Sequence, residues 1–320
     1  MVSMKEINKL TSRCIGRYLI DMPDDFKQTD GIVMIDGKQI ESQKMYLPAF
    51  EQKISLREKE LREIKPVNVD DGPFLKKTYP LQGGMIGVIF ERTSSEISPD
   101  AFRNLEGYVY NNGVAFKIIV DAVNADGDRY NNQRNKDPDV YYNDISSKVS
   151  NLNNFLGRLH GRIESEVPTG KGFCIPHGFI SGDGSEKEEV RFSYQSHDHP
   201  NLYFNIESDN FLREDSSMLE RGGEIYSFLT KNKIKTISKG DRNINGMNAE
   251  EWLSVGNGLE VTSGHNFILN LHEKSGSQQT PFLRLNLIHG PLTDDNLPQG
   301  SVINLWQVIT DTVRIRSSQF

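Results

Sequence analysis

The sequence predicts an α+β fold of two domains, each a mainly antiparallel sheet with packed helices. Three observations lead there. The chain has 320 residues, enough for two domains of about 150 residues each. Short runs of alternating polarity follow one another closely, which favours antiparallel pairing. Each half opens on an apolar strand carrying that half's one cysteine, Cys14-Ile-Gly-Arg-Tyr-Leu-Ile-Asp-Met-Pro23 and Gly172-Phe-Cys-Ile-Pro-His-Gly-Phe-Ile180, and each closes on a helix. The stretch 165–171, with Pro168 and nearby glycines, reads as the boundary between domains 1–166 and 167–320.

In order, residues 1–13 are polar and read as peripheral, and 14–21 as a strand stopped by Pro23. Runs 32–36 and 39–44 flank Asp36-Gly37, a hairpin turn signal. Pro48 suits the first turn of a helix reaching Ile64, with Phe50, Ile54, Leu56 and Leu61 inward and Arg57 to Glu63 largely outward. Strands follow at 85–92, 105–111 and 114–123, the last two joined by Asn112-Gly113, the strongest hairpin signal in the chain. Residues 124–139 read as a long polar surface loop. A helix is expected over 143–164, with Arg158, His160 and Arg162 at its negative end. The second half reads as a strand at 173–180 and a hairpin of 190–196 with 202–208. A helix over 216–231 and strands at 234–238, 247–255, 267–272 and 282–289 follow. Pro298 precedes a last helix whose inner face is Val302, Ile303, Trp306, Ile309 and Val313. One face of each sheet is expected to carry the helices.

Composition narrows the function. The chain is 36% hydrophobic and 25% charged with net charge −7. No basic run offers phosphate contacts, so nucleic acid is not the expected partner. No apolar run approaches the ~20 residues that span a bilayer, so the chain is not expected to be an integral membrane protein. The first ten residues lack the apolar core of a secretory signal, which leaves a cytoplasmic protein or one whose leader has been removed. The two cysteines, Cys14 and Cys174, fit either a bridge joining the two lobes or two buried thiols, and their spacing favours the thiols.

Catalytic patterns do not assemble. The glycine-serine runs 179–185 and 275–277 lack the nucleophile-elbow spacing and read as turns. His197-Asp198-His199 has the spacing of two strand ligands but no further partner, and reads as a polar hairpin tip rather than a metal site. His177 reads as a half-buried histidine. Asp126-Gly-Asp128 lacks the remaining ligands of a calcium loop. Gly222-Gly223 sits in a helical pattern and suggests a bend or a close backbone contact. The pairs Asp24-Asp25, Asp70-Asp71 and Asp294-Asp295 read as solvated surface, with partner contact as the alternative. No cofactor or metal is expected. A chain without assembled chemistry is expected to bind rather than transform. Its candidate contacts are Asp126, Asp128, Arg129, Tyr130 and Arg134 in the long loop, and His197 and His199 at the tip.

The two opening strands, together with Leu56-Arg-Glu-Lys-Glu-Leu61 and Leu305-Trp306-Gln-Val-Ile309, resemble the two-domain immunity proteins for type VI secretion lipase effectors of the fourth phospholipase family. The resemblance covers nearly the whole chain. It implies a non-catalytic inhibitor that grips a cognate antibacterial lipase with two lobes on the periplasmic side. An oxidising periplasm makes a Cys14–Cys174 bridge a stronger candidate than spacing does. Two other readings stay open: a two-lobed small-ligand or lipid-binding module, and a hydrolase with a dispersed active site. The sequence sets no oligomeric state.

Overall fold

The structure, a computed structural model, describes residues 9–256, 264–290 and 297–317. In chain order the elements are β1 (Leu10–Ile15), β2 (Tyr18–Pro23), β3 (Phe26–Ile35), β4 (Lys38–Lys44), α1 (Leu47–Glu63), β5 (Leu75–Pro80), β6 (Ile86–Thr93), β7 (Phe102–Asn111) and β8 (Val114–Val123). Then come α2 (Asn131–Lys136), α3 (Ile145–Leu156), β9 (Leu159–Gly161), β10 (Gly172–Ile175), β11 (Gly178–Ser181), β12 (Glu188–Ser196) and β13 (Leu202–Asp209). The chain ends with α4 (Gly222–Lys231), β14 (Ile234–Ile244), β15 (Met247–Gly256), β16 (Gly264–Leu271), β17 (Phe282–His289), α5 (Gln299–Thr310) and β18 (Arg314–Ile315). Single 3-10 turns lie at Val69–Asp71 and Asp128–Tyr130. The α+β expectation holds, and every strand pair named below is antiparallel.

The chain forms two compact units. The first takes in the residues up to Gly37, Glu164–Pro176 and everything from Gly182 on; the second is Lys38–Ile163 with His177–Ser181. The first therefore combines the N-terminal strands with most of the second sequence half. Cys14 and Cys174 are joined by a disulfide across a separation of 160 residues. Both belong to this first unit, so the bridge is internal to it. The bridge rules out the two buried thiols favoured by spacing; it joins the two sequence halves, both cysteines lying within one compact unit.

The main sheet of the first unit runs β14-β15-β16-β17-β13-β12-β3. Its helices lie on both faces. Trp306 of α5 packs on Phe204 and Phe267 at 5.7 and 5.9 Å and donates Nε1–H to Glu251 Oε1 at 2.7 Å. The next residue of β15, Trp252, points to the opposite face and packs with Leu229 of α4 and Met218. The long run 14–21 is not one strand. Gly16, at φ +57°, takes the first central place of a two-residue turn, and β1 and β2 form a hairpin with Ile15 opposite Tyr18. Nor is 1–13 wholly peripheral, since Arg13 is buried and pairs with Glu164 at 3.1 Å. The Arg316 guanidinium, also buried, donates to the carbonyls of Pro168, Gly170 and Gly172 at 2.9, 2.7 and 2.6 Å, which fixes the boundary segment.

The second unit is built on the order β4-β8-β7-β6-β5. Asn112 and Gly113, at φ +46° and +78°, form the turn expected between β7 and β8. Phe50 and Leu61 of α1 join Phe74, Leu75, Val88, Phe90 and Tyr108 in one core cluster. On the other face, Leu152 and Leu156 of α3 press against Gly107, where an added Cβ would meet Leu156 Cδ1 at 3.0 Å. Helices thus cover both faces here too, not one. Where the helix was expected to run to 164, α3 stops at Leu156, and residues 159–161 pair with β11. Arg158 and Arg162 therefore serve strand backbone rather than a helix end, donating from Nε to the carbonyls of Ser181 and Gly178 at 2.6 and 2.9 Å. The run 173–180 likewise breaks at His177, φ +58°, into β10 and β11. In the first unit, Gly222-Gly223 opens α4 rather than bending it.

Candidate functional site

One corner of the second unit gathers five of the seven candidate contact residues, Asp126, Asp128, Arg129, Tyr130 and Arg134, together with the pair Asp70-Asp71. Segments 65–72, 94–100 and 124–139 meet there. Val67 N–H donates to the carbonyl of Glu96 at 2.8 Å, and Asp100 N–H donates to Asp71 Oδ1 at 3.0 Å. Arg129 ties the third segment in: Nη1 donates to the carbonyl of Asp70 at 2.6 Å, and Nη2 pairs with Asp71 and, at 3.6 Å, with Asp100. Its guanidinium also lies 4.8 Å from the centre of the Tyr130 ring.

The long loop is therefore not a free surface loop. It contains a 3-10 turn and α2. Tyr130, expected as an exposed anchor, is buried with Ala101, Ala125 and Tyr141. Its hydroxyl donates to Asp100 Oδ1 at 2.6 Å and accepts from Ala101 N–H at 3.2 Å. Burial, with the Asp100 carboxylate beside it, pushes its phenol up to about 12. Arg134 is turned inward onto the carbonyls of Ala125 and Gly127. Asp126, exposed, accepts from Asn143, and Asp128 is exposed at the 3-10 turn.

Beneath the corner the charges balance one another. Asp71, expected as solvated, is buried. Arg103 pairs with Glu91 at 3.3 Å and Asp100 at 3.5 Å; Lys76 pairs with Asp100 at 3.5 Å and donates to the carbonyl of Asp71 at 2.7 Å. Burial would raise the Asp100 carboxyl, but the Tyr130 hydroxyl and the surrounding cations hold it below the usual carboxylate range. The Lys76 ammonium is lowered by burial and by Arg103. These groups are spent on each other, which makes a scaffold rather than an acid–base site.

Among its exposed charged residues the corner also presents three aliphatic side chains to solvent. Val67, Val69 and Ile97 are 76%, 86% and 82% exposed. Sequence reasoning passed over all three; the available signal was Pro66-Val-Asn-Val-Asp70, an alternating run too short and too flanked by polar residues to read as a strand. His197 and His199 belong to the first unit, at the β12–β13 tip. His197 N–H donates to the carbonyl of Asp25 at 3.0 Å and His199 N–H to Ser196 Oγ at 2.9 Å. Among the described residues no group of three or more His, Cys, Asp or Glu could hold a metal. No helix among them is long and apolar enough to cross a membrane. Asp294-Asp295 lies outside the described residues.

Comparison with known proteins gives this architecture a context. The apo structure of the immunity protein TplEi of the type VI secretion system (T6SS) from Pseudomonas aeruginosa superimposes with TM-score 0.76 at 21% identity, over 97% of this chain and 99% of that one. The crystal structure of the Tle4-Tli4 complex gives a TM-score of 0.74 at 20% identity, over 96% and 97%. TplEi complexed with "L" peptide gives 0.71 at 21%, over 97% and 99%. At these identities the likeness is one of fold. No curated protein sequence matches. The family models for the N-terminal and C-terminal domains of Tle cognate immunity protein 4 match residues 11–162 and 166–318. Those matches span nearly the whole chain, which belongs to the Tle cognate immunity protein 4 family.

Proposed function

We propose that this protein binds and inhibits a cognate antibacterial lipase delivered by a type VI secretion system, protecting the cell that makes both. The observation that carries the reading is the match of both immunity-domain models along one chain. The Tle4-Tli4 complex, a neighbour in fold, supports the choice of partner. Inhibition is by occupancy: a bound protein covers the lipase entrance or holds its lid, and no bond is made or broken. Protection at low toxin concentration asks for nanomolar affinity, about −12 kcal/mol. A standard interface of ~1,600 Å² reaches this when it holds a few well-packed anchors.

The periplasm is the proposed site of action, supported by the Cys14–Cys174 disulfide, since such bonds persist in oxidising compartments. The division into domains 1–166 and 167–320 is kept as a sequence-level division, supported by family matches that part between 162 and 166. For the contact residues, Asp126, Asp128 and Arg129 are proposed as partner-facing, and so are His197 and His199 at the tip of the other unit. Tyr130 and Arg134 act from behind by fixing the loop. The reading is tested by exporting the cognate lipase to the periplasm of a susceptible host with and without this protein. Growth restored only by the periplasmic form supports it. Lysis regardless of the protein, or rescue by a strictly cytoplasmic form, overturns the function or the location respectively.

A further inference from the structure

We infer that Val67, Val69 and Ile97 form a rigid apolar anchor for the effector, with Asp70, Glu96 and Asp128 as its acidic rim. The inference rests on the effector-binding reading above and assigns it a place. Its argument is a mismatch between how firmly the segment is held and how little it buries. Backbone at 67–71 is tied by Val67 N–H to Glu96, by Arg129 to the carbonyl of Asp70 and to the Asp71 carboxylate, by Asp100 N–H to Asp71, and by Lys76 to the carbonyl of Asp71. Asn68 adds a cap, its Oδ1 accepting from Asp70 N–H at 3.2 Å. Yet Val67 and Val69, with the neighbouring Ile97, remain more than three-quarters exposed.

Isolated exposed aliphatics need no explanation, but here three lie on two segments joined through the Val67–Glu96 hydrogen bond, and such a concentration of exposed apolar surface costs solubility. A patch fixed beforehand loses little further entropy on binding, which is the condition for an anchor. The rim selects the partner. Asp70, Glu96, Asp126 and Asp128 are exposed, and so are the cations Lys65, Lys136 and Arg129, the last with its guanidinium tied to Asp70 and Asp71. The complementary surface is an apolar ridge flanked by Lys or Arg on the effector. Opposite charges at the rim set the association rate more than the final affinity.

The test uses the full chain and the cognate lipase in calorimetry and stopped-flow, with the wild type run first. Wild type without binding or inhibition removes the functional reading itself. Given wild-type binding, V67S/V69S/I97S is expected to weaken Kd by about 100-fold with unchanged Tm, which at 1.4 kcal/mol per tenfold is about 2.8 kcal/mol. E96K/D128K is expected to slow association about tenfold at low salt, with the difference fading at high salt. A triple variant within twofold of wild-type affinity overturns the assignment. So does wild type that is dimeric in sedimentation while the triple variant is monomeric, or that floats with anionic lipid vesicles where the variant does not. Those results give the patch to a second copy or to lipid.

Discussion

Arg17 and Glu188 form a two-point ion pair inside the first unit, Nε to Oε2 at 2.9 Å and Nη2 to Oε1 at 2.8 Å, although 171 positions separate them. Both side chains are buried, and Glu188 Oε1 also accepts from Ser185 N–H at 2.9 Å. The pair joins the β1–β2 turn to the start of β12. It is one device by which the N-terminal strands are held to the second half of the chain.

Breaking this pair from one side strands a buried charge. Glu188→Gln should lower stability by about 3–5 kcal/mol in urea unfolding. The double variant Arg17→Met/Glu188→Leu should lose less than the sum of the two single changes, because it removes both charges together. Additive losses would mean that the two groups act independently.

The Cys14–Cys174 disulfide closes a loop of 160 residues within the same unit. On a chain-entropy view that constrains the unfolded chain by up to about 5 kcal/mol. Intact mass of the protein purified without reductant should rise by two hydrogens on reduction, and Tm should fall. Cys14→Ser/Cys174→Ser should reproduce that lower Tm without further response to reductant. A mass unchanged by reductant would show free thiols.

In the second unit, Glu106 is buried on the sheet beneath α1. Arg57 clasps it with Nε at 3.0 Å and Nη2 at 2.6 Å, and Arg92 pairs with it as well. Burial alone would raise this carboxyl; Arg57 and Arg92 overcome it and hold it at about 2. Its folded value lies below the unfolded one, so the stabilisation is present above pH ~4.5 and is lost as pH falls toward 2. The loss should reach about 3 kcal/mol across that window. Glu106→Gln should be less stable at neutral pH and show a flatter acid dependence. An unchanged acid profile would mean that Glu106 does not govern it.

Asp71→Asn should loosen Arg129 and the carbonyl-tied segment without unfolding the unit. Amide hydrogen exchange at 67–70 should accelerate, global stability should fall by only about 1 kcal/mol, and effector affinity should fall about tenfold. Faster exchange with full affinity would separate loop order from binding.

The legible parts of the fold were those written locally. Asn112-Gly113 announced its hairpin because both turn positions need positive φ, and Pro48 announced α1 because its missing N–H costs nothing in a first helical turn. The Gly16-Arg17 turn was missed because only one of its two residues is a turn former, so 14–21 read as one strand. Strand β5 was missed because Leu-Lys-Lys-Thr-Tyr-Pro carries two lysines and a proline; it is an edge strand, where both are tolerated. The candidate site was half legible. Composition marked the loop at 126–134, but Tyr130 looked like an anchor because sequence cannot show that its hydroxyl is used by Asp100. The aliphatics beside it went unseen because their meaning lies in contacts with residues 29 or more positions away, as in Val67 with Glu96 and Asp70 with Arg129. The disulfide was a matter of compartment, which the family resemblance supplied and spacing did not.

The measurement that bears most directly on the whole account is calorimetric titration of this protein with its cognate effector, with lipase activity followed in the same samples. Nanomolar binding near one-to-one, with activity falling in step with occupancy, is the expected result. Absence of binding, or binding that leaves the lipase fully active, would contradict it.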